Sequence, residues 1–292
     1  MTPQNAAFLP MMAKDFSEVL IEWANRQPSV EGIVLIGSRQ RPVDAGLEVA
    51  DAQSDWDFHV ITRDLGPFLQ SDWAKTLPGY RLRAYAVRAA AIGATPKVAA
   101  IFDGADVDLV LIPVAILKKV RWRARWGAHR KPGWTQRRMQ DVAEVIRPGW
   151  RFLKDSGGWG PFYQKAVDEV SDPWLDDRQV IALAEGVVCD CVWVRRKIAR
   201  GELRTAQRTI YRELYEANLQ LLHELRHRRG QKTFTKARRL ERVASPAELA
   251  ALTVTALPEP ASLESAVAQA ADTCRQLMAE LVGDRWRWPE LV

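Results

Sequence analysis

Apolar residues recur along the first half of this chain in short strand-like runs, and along the second half with the longer period of helices. Asp15 followed by Glu18 reads as an N-cap with its capping-box partner, and Phe16, Val19, Leu20 and Trp23 then recur at helical spacing until Pro28. Residues 32–36 (GIVLI) predict a buried strand that stops at Gly37-Ser38-Arg39. A polar loop containing Pro42 and Gly46 follows, and a second strand, DFHVIT, starts near Asp55. Two further strands, residues 97–102 and 107–112, flank Asp103-Gly104-Ala105-Asp106, a hairpin signal. Residues 151–153 read as an edge strand before the Gly157-Gly158 turn. This order predicts an α+β fold, a small mixed sheet with helices packed on one side. From Asp176 the pattern turns helical. Residues 180–200, 203–228, 247–252 and 262–282 predict a bundle, with the domain boundary between Gly160 and Asp172.

Composition adds limits. The 292 residues are 47% hydrophobic and 27% charged, which suits a globular chain with a sizeable core. The N-terminal MTPQNAAFLPMMAKDF has no basic segment ahead of a long apolar run, and no apolar stretch reaches the length of a bilayer span. The expectation is a cytoplasmic protein without a membrane partner. Cys189, Cys191 and Cys274 have no zinc spacing, and the first two are too close for an ordinary disulfide, so reduced and partly buried thiols are expected.

The net charge is +6 and the pI about 9.3, and the excess is uneven. Lys118, Lys119, Arg121, Arg123, Arg125, Arg130, Lys131, Arg137 and Arg138 follow one another without an acid, interleaved with Trp122, Trp126 and Trp134. Such a stripe attracts polyanions, or it is a solvated face anchored by its tryptophans. Asp168, Glu169, Asp172, Asp176 and Asp177 form an acidic stretch soon after.

The candidate chemistry lies in the strands. A glycine closing a buried strand lets the backbone turn sharply and approach a phosphate, which the Ser38 hydroxyl and nearby N–H groups can bind. Asp55 and Asp57 are two apart on a strand and share a face. A hard divalent cation relieves the repulsion between such a pair, whereas at an exposed edge both acids are simply hydrated. Asp108 stands inside the apolar run VDLVLI, where an acid needs a partner. If the strands pair, Asp108 completes a three-carboxylate cluster that can hold two metal ions, one for the attacking hydroxyl and one for the triphosphate. His59 falls on the same strand face, where packing is its commoner use.

GSR, then DWD, then VDLV at the end of a hairpin resemble the nucleotidyltransferase core shared with DNA polymerase β. In detail the chain is similar to the aminoglycoside 6-adenylyltransferase (streptomycin adenylyltransferase) family over residues 30–228. Leu35-Ile36-Gly37-Ser38-Arg39 matches that family's first signature. Ile101-Phe102-Asp103-Gly104 followed by Val107-Asp108-Leu109 is similar to its second. Arg151-Phe152-Leu153-Lys154-Asp155 with Gly157 resembles a third, more weakly. Cys189-Asp190-Cys191-Val192-Trp193-Val194, then Ile198-Ala199-Arg200-Gly201-Glu202-Leu203, resembles a segment of the family's helical part, with its acid at Asp190. Asp190 is also the only charge in residues 187–194, so it should face a cleft or a partner.

The resemblance implies a nucleotidyltransferase domain at residues 1–165 and a helical substrate-binding domain at 166–292. It implies magnesium on Asp55, Asp57 and Asp108, two ions in all, and ATP as donor. Gly37, Ser38 and Arg39 would bind the nucleotide. Asp190 would be a base or a substrate ligand, and Glu185 is a second substrate-binding candidate.

The leading expectation is transfer of AMP from ATP to a hydroxyl of an aminoglycoside such as streptomycin, with release of pyrophosphate. A high pI suits a polycationic substrate poorly, which the acidic stretch, Glu185 and Asp190 partly offset. Two alternatives stay open: another acceptor (nucleic acid, protein or metabolite), or a non-catalytic protein binding RNA or another polyanion through residues 118–138. The sequence leaves the acceptor, the preferred NTP and the oligomeric state undetermined.

Overall fold

The structure, a computed structural model, describes residues 15–41, 50, 54–90, 95–171, 174–234, 237 and 239–290. The expected loop residues Pro42 and Gly46, and Asp172 of the acidic stretch, lie outside these. Two compact units divide the chain, residues 1–173 and residues 174–292.

In the first unit, Asp15 accepts a hydrogen bond from the Ser17 N–H (2.7 Å) and starts α1 (Phe16–Asn25). The carboxylate turns to this nearer N–H. No reciprocal bond from Glu18 occurs among the described residues, so the expected capping box is a simple N-cap. Six strands then form one sheet: β1 (Val30–Ile36), β2 (Trp56–Thr62), β3 (Leu82–Ala89), β4 (Pro96–Phe102), β5 (Ala105–Pro113) and β6 (Trp150–Asp155), in the order β3-β4-β5-β2-β1-β6. The β2–β5 pair is parallel and the others antiparallel. The β4–β5 hairpin is tighter than expected. Phe102 pairs with Ala105, leaving Asp103-Gly104 as the loop, with Gly104 at φ 83°.

Alternation along the strands builds two cores. Ile33, Leu35, Phe58, Val60, Leu109 and Leu111 pack against α1 and the short α2 (Asp72–Lys75). Their sequence neighbours Val34, Ile36, Ile61 and Ile112 pack on the other face against α3 (Val114–Arg125), α4 (Trp134–Ile146) and α5 (Gly160–Glu169). Helices therefore cover both faces, not one. A run like GIVLI has no polar side, so a single helical layer would leave half of it in water. The sheet also has a strand that hydrophobic patterning did not predict. β3 (LRAYAVRA) is a mostly exposed edge strand whose core contacts, Leu82 and Tyr85, are three apart and so show no alternation.

The second unit is helical. Asp176 and Gln179 form a capping box that starts α6 (Asp177–Ala199). The helix expected over residues 203–228 is three pieces: α7 (Leu203–Thr209), a π-helical turn over Ile210–Tyr215, and α8 (Glu216–Arg228). The turn stays helical, so hydrophobic spacing does not reveal it. α9 (Leu240–Val243), α10 (Pro246–Leu252) and α11 (Pro260–Leu281) complete the unit, and α6, α8 and α11 share its core around Leu214, Leu221 and Leu263. Among the described residues no helix is long and apolar enough to cross a membrane.

Candidate active site

The end of β1 and the start of β2 are built against each other. Ile36 pairs with Asp57, and the next residue, Gly37, turns the chain at φ 77° into a short helical turn, Gly37–Gln40. A Cβ on Gly37 would stand 2.5 Å from the Asp57 Oδ2 and 3.2 Å from its Cγ, so only glycine lets the turn lie on that carboxylate. A second glycine, which sequence reasoning did not single out, supports the same turn. Gly149, just before β6, passes so close to the Gln40 carbonyl that any side chain there would collide with it.

Parallel pairing of β2 with β5 sets Asp57 directly beside Asp108. Asp55, Asp57 and Asp108 each offer a carboxylate oxygen within 4.8 Å of the others. Asp57 and Asp108 are half-buried and Asp55 is exposed, so the cluster opens to solvent on one side. The three sequence-predicted acids are therefore brought together against the Gly37-Ser38 turn. The Ser38 hydroxyl is buried there and has no hydrogen-bond partner among the described residues. A buried hydroxyl without a partner is costly, and an acceptor at this turn would satisfy it.

One neighbour was missed. Lys97 on β4 forms an ion pair with Asp108 (Nζ–Oδ2 2.5 Å). The signal was present, because Lys97 lies on the same sheet face as Asp108 once β4 and β5 pair with Ala99 opposite Asp108.

Arg39 makes contacts other than those the resemblance implies. Its Nη2 donates to the Ser54 carbonyl (2.5 Å) and its Nε to the Asp55 carbonyl (3.1 Å). The guanidinium also lies over the Trp56 ring, 3.9 Å from its centroid. In this arrangement it clamps the segment that carries Asp55. His59, two residues beyond Asp57, is fully buried. Its Nδ1 meets the Tyr163 hydroxyl at 3.1 Å, and burial lowers its pKa to about 4, so it is a neutral packing residue here. Asp155, in the third stretch of the resemblance, accepts from the N–H groups of Trp159 (2.7 Å) and Gly160 (2.9 Å) and starts α5.

The donor set fits a hard divalent cation. All three groups are carboxylates, and magnesium–oxygen bonds of about 2.1 Å place two ligands on one ion at most about 4.2 Å apart. The observed limit of 4.8 Å is within a small side-chain rotation of that.

No family model matches the sequence, and no curated protein matches it either. Among solved structures, the chain is similar to an aminoglycoside 6-adenyltransferase from Bacillus subtilis, with 12% identity, 93% of this chain and 91% of that chain covered, and a TM-score of 0.38. It is also similar to a nucleotidyltransferase-like protein from Exiguobacterium sibiricum 255-15, with 16% identity, 92% of this chain and 75% of that chain covered, and a TM-score of 0.35. Identities and scores this low leave the chemistry to be read from the acidic site itself.

Glu185 and Asp190 both lie on α6, in the second unit. Glu185 is exposed and Asp190 half-buried. Burial, and then the nearby Glu213 carboxylate, raise the Asp190 pKa above the usual carboxylate value. Glu213 belongs to the π-helical turn, and sequence reasoning missed it because the turn itself was not legible. Trp193, one turn along α6, is exposed beside this pair, with the Lys197 ammonium 4.9 Å from its ring centroid.

Proposed function

We propose that this chain is a magnesium-dependent nucleotidyltransferase that moves AMP from ATP to a hydroxyl of a small cationic acceptor of the aminoglycoside class, such as streptomycin. The observation that carries the reading is the convergence of Asp55, Asp57 and Asp108 on the turn at Gly37-Ser38. Three carboxylates with oxygens within 4.8 Å repel one another unless cations sit among them, and phosphoryl transfer needs that arrangement. Bound magnesium, as two ions, would supply the positive charge that activates the acceptor oxygen and stabilises the departing pyrophosphate.

The residues of the chain do the rest. Asp57 and Asp108 hold their carboxylates in register through the β2–β5 pairing, and Asp55 is steadied by Arg39 through the backbone. The Ser38 hydroxyl and the backbone N–H groups of the turn take triphosphate oxygens, replacing the hydration those oxygens lose. The acceptor hydroxyl oxygen attacks the α-phosphorus, the bond to the bridging oxygen breaks, and pyrophosphate leaves with that electron pair. The acceptor proton is lost to a general base, and Asp190 is the candidate that the resemblance gives for this role. A raised pKa beside Glu213 makes Asp190 a better proton acceptor than an ordinary aspartate. The Asp190–Glu213 pair, with Glu185 nearby on α6, also offers the negative charge a polyamine acceptor requires.

The test is product mass after incubation with ATP, magnesium and a panel of hydroxyl acceptors that includes streptomycin, other aminoglycosides, nucleosides and short RNA. The expected product is an acceptor heavier by one AMP moiety, lost in Asp57→Asn and Asp108→Asn. Asp190→Asn should slow turnover while leaving ATP binding near wild type. Magnesium-independent turnover, or turnover that survives Asp57→Asn and Asp108→Asn, would sink the reading. An adduct on nucleosides or RNA alone would keep the chemistry and remove the aminoglycoside.

A further inference from the structure

The tryptophans of the basic stretch divide into two kinds. Trp134 packs at the edge of the core that α3, α4 and α5 share, with the Lys119 ammonium 5.3 Å from its ring centroid. Trp122 and Trp126 are 64% and 75% exposed. α3 turns Val114, Leu117, Val120 and Ala124 inward, and at about 100° per residue Trp122 and Trp126 point almost directly away from them. Neither indole serves the core, and two large aromatic rings in water are a cost that folding alone does not explain. Together with Arg123 and Ala128 they line an open hollow of about 230 Å³.

The cations also divide. Arg121 donates to the Gly157 and Gly158 carbonyls and lies over Trp159, and Arg123 donates to the Thr135 hydroxyl. Arg130 pairs with Glu169, and Arg138 with Asp141. Much of the stripe is thus structural. Lys118 and Arg125 are different. They are exposed, lie within one turn of Trp122, and their side chains have no hydrogen bond or ion pair among the described residues. No acid occurs between Asp108 and Asp141 to neutralise them.

We propose that this face of α3 binds single-stranded nucleic acid, with bases stacking on Trp122 and Trp126 and phosphates taken by Lys118 and Arg125. The proposal goes beyond the transferase reading and does not depend on it. Charge complementarity identifies a polyanion, and the paired rings identify which one. Residues four apart on a helix are separated by about 6 Å along its axis, a spacing that neighbouring bases of an unstacked single strand can reach. A duplex keeps its base faces inside the stack and offers no partner for an indole. A membrane surface is less well matched. This face sets two rings among charges, where an interfacial helix needs a continuous apolar stripe.

The test uses the full chain with fluorescently labelled oligouridylate and oligothymidylate, read by anisotropy over a salt series. Duplex DNA, heparin and phosphatidylserine vesicles serve as comparison arms. Single strands should bind, with affinity falling as salt rises. Trp122→Ala and Trp126→Ala should each weaken binding about tenfold or more, and Trp→Phe should restore much of it. Lys118→Ala with Arg125→Ala should reduce the slope of log affinity against log salt by about 1.4. All four side chains are exposed, and unchanged circular dichroism would confirm intact variants. Wild-type affinity in both Trp→Ala variants overturns the proposal. So does equal binding of heparin, duplex and single strands, or binding to vesicles without binding to oligonucleotides.

Discussion

The sharpest test of the site removes no functional group. Gly37→Ala adds one methyl to the turn after β1. That methyl would lie 2.5 Å from the Asp57 Oδ2, where ordinary contact begins at 3.4 Å, so the carboxylate must move by about 0.9 Å. An alanine at φ 77° adds left-handed backbone strain of about 1–2 kcal/mol. For a unit of this size such a cost lowers the melting temperature by about 2–8 °C, which leaves the protein folded at 25 °C. The effect on turnover is much larger. Displacing a positioning group by about 1 Å costs on the order of a hundredfold in rate. Pyrophosphate release with ATP, magnesium and the acceptor identified by mass should therefore fall about a hundredfold in Gly37→Ala, while calorimetry shows one modestly shifted transition. Turnover within a few-fold of wild type, in a variant that melts where expected, would show that the Asp57 carboxylate need not lie against this turn. The proposed chemistry would then lose its geometric basis.

Other outcomes follow from neighbouring contacts. Lys97→Met keeps the aliphatic stem but removes the ammonium that competes for Asp108, so Mn²⁺ affinity measured by calorimetry or paramagnetic relaxation should rise several-fold, and an unchanged affinity would separate Lys97 from the metal site. Hydrogen bonds from Lys165, then His129 and Arg130, hold the Glu169 pKa at about 2, below its ordinary 4.5. Its folded pKa is depressed, so its contribution to stability is present above pH 4.5 and is lost as pH falls from 4.5 towards 2. Thermal midpoints of wild type and Glu169→Gln should accordingly differ near neutrality and converge across that window; a constant difference would count against the linkage. Burial raises the Cys191 and Cys274 pKa values to about 11 and about 12, whereas Cys189 is exposed. Iodoacetamide at pH 8 should label Cys189 alone in the folded protein, as read by peptide mass spectrometry.

Hydrophobic patterning revealed what depends on buried strands and long amphipathic helices. GIVLI, DFHVIT and VDLVLI all became central strands, because sequences apolar on both faces have few other stable states. Asp57 and Asp108 could be named because carboxylates at strand positions stand out against apolar neighbours, and Asp55, which lies just ahead of β2, by its spacing from Asp57. Features that depend on tertiary context were not legible. β3 is an edge strand without alternation, and the π-helical turn that carries Glu213 keeps helical spacing. Lys97 needed the register of the expected hairpin, which sets Ala99 opposite Asp108 and so brings Lys97 to the same face. Gly149 looks like any loop glycine until the Gln40 carbonyl approaches it. The basic stretch reads as one stripe in sequence, yet side-chain partners assign most of its arginines to structure and leave Trp122 and Trp126 facing solvent.

The register of the parallel β2–β5 pair links folding to the proposed chemistry. A slip of one residue would set Asp57 beside Val107 or Leu109, whose side chains face the α1 side of the sheet, and would separate it from Asp108. Such a slip would also turn Phe58 and Val60 out of the core they share with Leu109 and Leu111, losing about 1.5–3 kcal/mol for each large side chain exposed. Repulsion between the carboxylates works against the native register, but Asp57 and Asp108 are half-buried and Lys97 neutralises one of them, so their conflict is smaller than the apolar gain. The hydrophobic core therefore holds together charges that would otherwise separate. A divalent cation would relieve that repulsion.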